Sequence, residues 1–480
     1  MITMTSTIRI TIYLALALAL TSPASADNPY TGTKVEEIFG QLCAQCHGAE
    51  LRGGLGTSLV DGQWNNGGTD EAISQSILAG NTDMGMPPFR DVLAPDQLRA
   101  MIILIRERET QEAQATSPPP KPKAETITRT QYHPYRMETL VPKGLSTPWA
   151  IAFLPDGRKL VTEIGGSLRL VGADWTLNRE PVDHTPTVMC FGQGGLLDVA
   201  LHPDFAANGW IYLAFSDGRY EKDRRHALTA IVRGRIIDNR WSDQQWIYRA
   251  DEKFHSGAGQ HFGSRIAFRD GYIFFVVGER GGGMQAQDIT RPNGKIFRLH
   301  DDGRVPADNP FVSNTNAIPG IWTYGHRNPQ GLVFDSRNGD LYDTEHGPRG
   351  GDELNLLLPG RNYGWPVICH GMNYDGTPLT SLTAQEGMEQ PVTYWTPSIA
   401  PCGLEFYEGS RFPNWKYDLF AGSLKAEELH RLRLRNHKVI EQEIVLKGIG
   451  RIRDVASGPD GFLYLVLNAP DRIVRLIPAE

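Results

Sequence analysis

The chain has 480 residues, 40% hydrophobic and 21% charged, with Lys+Arg 48 against Asp+Glu 55 for a formal net charge of −7. That length exceeds one ordinary hydrophobic core, so two or three domains are the starting expectation. The mild acidity argues against nucleic-acid binding and no run of like charge marks a lipid-binding arm, while 51 Gly and 32 Pro favour a turn-rich β body over a helical one.

In chain order, Arg9 precedes the apolar run ITIYLALALAL (10–20), and TSPASA closes on the small-x-small triplet Ala24-Ser25-Ala26. This is the layout of a secretory signal, so residues 1–26 are expected to be cleaved near Ala26, leaving a periplasmic or secreted protein. The apolar run is about half of the ~20 residues that a bilayer span requires, and MIILI (101–105) is shorter still, so the mature form is expected to carry no membrane span.

Export frames the five cysteines. Cys190, Cys369 and Cys402 are an odd set from which one disulfide and a free thiol could form, with the pair undetermined. Cys43 and Cys46 stand in LCAQCHG. A zinc site would want a second Cys/His pair at short spacing, and a redox dithiol would want a βαβ context; neither follows. Thioether attachment of haem c through Cys43 and Cys46, with His47 on the iron, is the remaining use of C-x-x-C-H. EEIFGQLCAQCHG reads as a helix ending at Gly48, with Ile38, Leu42 and Gln45 on one side. Further on, GNTDMGMPPF offers a thioether sulfur as sixth ligand. Met86, fixed by Pro87, is the first choice and Met84 its competitor. PDQLRAMIILIRERE (95–109) then reads as a closing helix with Pro95 at its start and Leu98, Met101, Ile102 and Ile105 on one face. Residues 27–110 therefore resemble a small class I cytochrome c. Such a domain moves electrons and needs a partner that produces them.

TQEAQATSPPPKPKAETITRT (110–130) is poor in apolar residues and stiffened by proline, so residues 111–133 are expected to form a tether. Over residues 134–480 a turn followed by an alternating strand recurs: FLPDGRKLVTE (153–163), LHPDFAANGWIYLAF (201–215), FRDGYIFFVVGE (268–279), FDSRNGDLYDTE (334–345), GPDGFLYLVLN (458–468) and, more loosely, FPNWKYDLFAGSL (412–424). These copies predict a mainly β fold, a six-bladed β-propeller preceded by a small all-α cytochrome c domain. Two stacked β-sandwiches are the alternative.

Several strings are too polar and glycine-rich for simple blade strands: GQGGLLDV (192–199), GQHFGSR (259–265), YGHRNPQGL (324–332), TEHGPRGGDELN (344–355), NYGWP (362–366), GSLK (422–425) and RIRDV (451–455). Scattered this widely, they could meet only at the mouth of a ring. His202, His255, His346 and His370 read as structural. Together the strings resemble the soluble PQQ-dependent aldose dehydrogenases of the glucose/sorbosone type, from about Tyr135 to the end.

The resemblance implies roles. PQQ, a flat quinone tricarboxylate, would rest on Lys425, Arg451 and Arg453, with Arg327 and Asn328 over its reactive carbonyls and Ser398 nearby. Ca2+ on the backbone oxygens of Gly347 and Pro348 would polarise the quinone. Asp352, Glu353 and Tyr363 fall where the family orients the base and places a second, structural calcium. His261 would be the general base that takes the anomeric proton while hydride leaves C1, and Gln193 would line the substrate side. Glu279, in VGE, stands where glucose-specific members carry Asp, and this longer carboxylate could still orient His261. The implied activity is oxidation of an aldose to its lactone, with electrons passing to haem c and then to a downstream acceptor, a cytochrome or an artificial dye. A calcium-dependent propeller hydrolase of lactonase type and a non-catalytic propeller that docks a cytochrome are the alternatives.

Overall fold

A computed structural model describes residues 28–118 and 126–479. The expected export signal and most of the proline run of the expected tether lie outside the described residues. The N-terminal domain holds four α-helices among its described residues: α1 (Val35–Leu42), α2 (Ala44–His47), α3 (Asp70–Ala79) and α4 (Pro95–Thr116). The single helix expected over the C-x-x-C-H run is two, broken at Cys43, and Gln45 is exposed; Val35, Ile38 and Phe39 form the buried stripe instead. Thr69 caps α3, its side chain accepting from the Ala72 amide. Pro95 opens α4 as expected. The helix runs on to Thr116, so the first part of the expected tether is helical: its residues are good helix formers, and Glu112 ties back to Arg52 at 2.8 Å. Ala100 to Ile105 are all buried, because α4 is covered by its own domain on one side and by the following domain on the other.

The second domain is a ring of six antiparallel sheets, which settles the choice against a sandwich. Each recurring phrase proves to be the turn between the first and second strands of one blade. The first strands are Pro148–Phe153, Leu196–Leu201, Gly263–Arg269, Pro329–Phe334, Pro401–Phe406 and Arg451–Ser457. Each lies against the next around the ring, and the last returns to the first. Closure is tied by hydrogen bonds: Pro134–Val141, from the start of the domain, pairs with Arg472–Pro478 at its end. Apolar clusters fill the space between blades, as where Trp149, Leu213 and Phe262 from three successive blades share one core. No helix among the described residues is long and apolar enough to cross a membrane.

Because the strands alternate in direction, the start of each first strand and the end of each second strand fall at the same end of the ring. Gln193, His261, Arg327, Asn328, Ser398 and Arg451 stand at or just before first strands; Glu279, His346, Gly347 and Lys425 follow second strands. The topology alone thus gathers the polar strings at one mouth.

Candidate active site and cofactor pockets

His261 sits in a left-handed backbone conformation (φ +57°), which a side-chain-bearing residue holds only when its surroundings fix it. Two contacts do so. The Gln193 Oε1 accepts from the His261 amide at 2.8 Å, and the carbonyl of His261 lies so close to Gly278 that a Cβ there would come within 2.1 Å of it. The Nδ1 of His261 bonds Glu279, whose other oxygen accepts from the Gly283 amide at 2.6 Å. Burial, with Arg327 nearby, holds the imidazole below its ordinary pKa, against the pull of Glu279, so it is neutral near pH 7. With Nδ1 committed to a carboxylate, Nε2 is the free acceptor and makes no hydrogen bond among the described residues. Glu279 therefore orients the imidazole.

Asp352 does not touch His261, contrary to the role expected of it. It accepts from the Ser398 hydroxyl at 2.6 Å and from the amides of Gly347, Ile399 and Ala400 at 2.8, 2.7 and 2.7 Å. It is a fully buried keystone joining two loops, and burial lifts its carboxyl to about 6 against those bonds. Ser398 is correspondingly spent on Asp352. Asn328 is also architectural in part: its Oδ1 accepts from the Gly263 amide at 3.1 Å, fixing the strand that follows the base.

The cations are differently placed. Arg327 is buried; its Nη1 donates to the carbonyls of His346 and Gly347 at 3.0 and 2.8 Å, while its Nε is buried with no partner. Arg453 donates to Asn468 at 3.3 Å, and Arg451 is exposed. None of these three guanidinium groups has a carboxylate partner among the described residues. Burial and the neighbouring Arg453 lower the pKa of Arg451. His346 lies among them; burial, then the charges of Arg327 and Arg453, push it down to about 3. Its Nε2 faces the Pro401 carbonyl at 2.7 Å, a structural use. Lys425 is the outlier, half exposed and 3.6 Å from Glu107 of the N-terminal domain.

Beside the mouth, His326, Asp343 and Glu345 bring ligand atoms within 4.8 Å of one another, all buried. Both oxygens of Asp343 lack a hydrogen-bond partner. Burial and then the charge of Glu345 raise both Asp343 and Glu353 well above the usual carboxyl range. Such a set fits a hard divalent cation, whose charge would offset the repulsion. Tyr363 stacks on His326 at 4.7 Å, but its hydroxyl is saturated by the Leu356 carbonyl and the Leu358 amide, so only its backbone could reach an ion. The Gly347 carbonyl, an expected ligand, already accepts from Arg327, which leaves that of Pro348.

Sequence reasoning missed Asp343, Glu345 and Tyr374. The first two had a signal: LYDTE places carboxylates at i and i+2 of one strand, on one face, and Glu345 pairs in register with Glu353. Tyr374, whose hydroxyl lies 3.4 Å from Arg327 Nη2, had none.

In the N-terminal domain a cavity of about 440 Å³ is lined by Cys43, Cys46, His47, Met86, Met101 and Ile105, among others. His47 Nδ1 bonds the Thr57 carbonyl at 2.8 Å, which turns Nε2 loose as a ligand. Met86 is locked by paired backbone bonds with Asn81 and packs on the core, whereas Met84 is 77% exposed. Burial and the adjacent Cys46 raise the Cys43 thiol to about 11. All five cysteines are unpaired, Cys369 and Cys402 included.

The fold and site together define a propeller whose cation-lined mouth carries a half-used imidazole, joined to a small cytochrome-like domain. Residues 145–475 match the family model "Glucose / Sorbosone dehydrogenase", and residues 31–105 match "Cytochrome C oxidase, cbb3-type, subunit III". The chain belongs to the glucose/sorbosone dehydrogenase family and carries a cytochrome c domain in front of the family's propeller. It is 42% identical over 331 residues to the aldose sugar dehydrogenase YliI of Escherichia coli, covering 68% of this chain and 88% of that one. The apo crystal structure of the soluble aldose sugar dehydrogenase from Escherichia coli superposes with a TM-score of 0.67 at 38% identity, over 72% of this chain and all of that one (100%). The PQQ-bound aldose sugar dehydrogenase of Streptomyces coelicolor gives 0.58 at 28% identity, over 75% and 100%.

Proposed function

We propose that this chain is an exported quinohaemoprotein that oxidises aldoses at C1 to lactones, with PQQ at the propeller mouth, haem c in the N-terminal cavity and Ca2+ beside the mouth. One observation carries the reading: a neutral imidazole with a free Nε2 shares its mouth with three guanidinium groups that have no carboxylate of their own. A tricarboxylate quinone is the ligand class that such an arrangement accepts. The aldose sugar dehydrogenase of Streptomyces coelicolor was solved with PQQ bound, which supports the same choice.

When bound, PQQ supplies a hydride acceptor and haem c a one-electron carrier. The protein's own residues do the rest. His261 Nε2 takes the proton of the anomeric hydroxyl as the C1 hydride departs; Glu279 keeps the other ring nitrogen protonated and stabilises the imidazolium that forms. Arg327, Arg451 and Arg453 neutralise the cofactor's carboxylates and quinone oxygens, with Lys425 at the rim. Gln193 holds the base's backbone in place. His326, Asp343 and Glu345, with Glu353 paired in register beside Glu345, would hold Ca2+. Cys43 and Cys46 would hold haem c covalently, with His47 and Met86 as the residues that would ligate its iron. Each sugar gives up two electrons and two protons in becoming a lactone, so two one-electron transfers to a downstream acceptor complete a turnover. The export signal supports periplasmic or secreted placement.

The test is reconstitution with PQQ and Ca2+, followed by a panel of aldoses scored for dye reduction and for the haem absorbance. Stoichiometric PQQ binding with reduction of both is expected. A chain that takes up no PQQ would end the redox reading, and lactone hydrolysis without PQQ would replace it.

A further inference from the structure

Helix α4 has two working faces. Met101 and Ile105 line the N-terminal cavity. Arg99, Ile103 and Glu107, spaced four apart and so aligned on one stripe, meet the propeller. The Arg99 guanidinium donates to the Thr380 carbonyl. Ile103 rests on Gly350, where an added Cβ would come within 3.0 Å of the isoleucine side chain; glycine is needed there for close approach as well as for its φ of +79°. Glu107 pairs with Arg349 at 2.8 Å and lies 3.6 Å from Lys425, and Arg349 reaches back to Glu36 of α1 at 2.8 Å. The Val35 amide adds a bond to the Gly376 carbonyl at 2.9 Å.

Much of the propeller side of this contact comes from one excursion of the fourth blade, between Asp352–Leu357 and Thr393–Trp395. Met372 in that excursion is 1% exposed and belongs to the apolar core of the N-terminal domain rather than to that of the propeller. Two residues on, Tyr374 stands against Arg327 at the mouth. A single short segment therefore carries one side chain into the cytochrome core and another onto the candidate cofactor site.

We propose that Met372, with the Arg349–Glu107–Lys425 ion pairs around it, is a docking surface that seats the cytochrome domain on the propeller mouth, with α4 lying between the two pockets. The contact combines one buried thioether anchor with partly exposed charges, which makes it closable and salt-sensitive rather than permanent. Its purpose rests on the electron-transfer reading above: a tether alone raises the encounter frequency, whereas a docked face fixes the approach.

The test uses the full chain, haem-bearing and loaded with PQQ and Ca2+, as wild type, Met372→Asp and Glu107→Arg. Glu107 lies at the domain surface, so its variant guards against a folding failure of the first. Small-angle X-ray scattering reads compactness, stopped-flow reads haem reduction by added aldose, and a small dye reads sugar oxidation at the propeller. The wild type should be compact, with haem reduction slowed by added salt. Both variants should be more extended and should lose about tenfold or more in haem reduction, with dye-linked turnover kept within about twofold. A wild type that scatters as two separated bodies, or variants that keep either its compactness or its haem reduction, would overturn the docking. Absence of dye-linked turnover in the wild type would instead strike the sugar-oxidation reading, and scattering would still decide the docking.

Discussion

At the Asp352 edge of the mouth, a buried carboxylate accepts four hydrogen bonds from two loops and has nothing left to offer. At the His261 edge, Glu279 accepts two, one of them from an imidazole whose far nitrogen stays free. Both acids are buried and both lie beside a strand end. They differ in what remains after their bonds are counted. A saturated acid builds the wall, and an acid that leaves its partner half-used builds the chemistry. Asp343, with two buried oxygens and no donor, is a third case: it asks for a cation.

The sharpest way to break this comparison is His261→Ala. Dye-linked aldose oxidation should fall by roughly 10²–10⁴-fold in kcat, while PQQ titration gives an unchanged stoichiometry. The acid limb of kcat/KM should lie below the ordinary imidazole value of about 6.5, because burial lowers the His261 pKa. Glu279→Gln removes the partner that raises that pKa, so the limb should move further to acid as kcat drops; a limb that stays in place would remove Glu279 from its role.

Asp352→Ala should show the opposite pattern. It orphans buried donors and should cost about 3 kcal/mol or more of stability in chemical denaturation, with the acid limb left where the wild type has it. A shifted limb would mean that Asp352 does speak to the base.

Arg451→Ala should weaken PQQ binding by about 10- to 100-fold in a fluorescence titration, the size of one charge-assisted bond. Ser398→Ala should change it far less, since that hydroxyl is already given to Asp352.

The smallest effect concerns the buried acids beside the mouth. Asp343 and Glu353 hold protons more tightly folded than unfolded, so the metal-free chain loses stability as pH rises from about 4 through their raised folded values. A bound cation removes that loss. Chelation should therefore lower Tm more at pH 8 than at pH 5, and an equal drop at both would place the ion elsewhere.

Much of this was legible in the chain. The turn-and-strand phrase recurs because every blade needs the same tight turn between its first two strands, and that chemistry is local. C-x-x-C-H announced its pocket because its two sulfurs and its histidine stand within five residues, and all three line the N-terminal cavity. The pairing of His261 with Glu279 was legible too, whereas the place of Asp352 was not. Asp352 and Glu279 are both plausible neighbours of His261 in the sequence, and only the path of the loops shows that amides at 347, 399 and 400 claim the first. The end of α4 was placed too early because composition marks a tether only where prolines begin.

The sequence by itself determined the parts: a signal-like leader, a cytochrome-type attachment site, six copies of one supersecondary unit, and the residue types that a quinone, a sugar and an ion would require. These depend on spacings of a few residues, which the backbone's own periodicities fix. Tertiary structure alone decided how the parts are spent: Asp352 on the amides of two loops rather than beside His261, His326 with Asp343 and Glu345 gathered as one candidate ion site, and Met372 of the propeller in the core of its neighbour. Those outcomes turn on which donor reaches which acceptor across large sequence separations, and only closure of the ring and docking of the two domains set those distances.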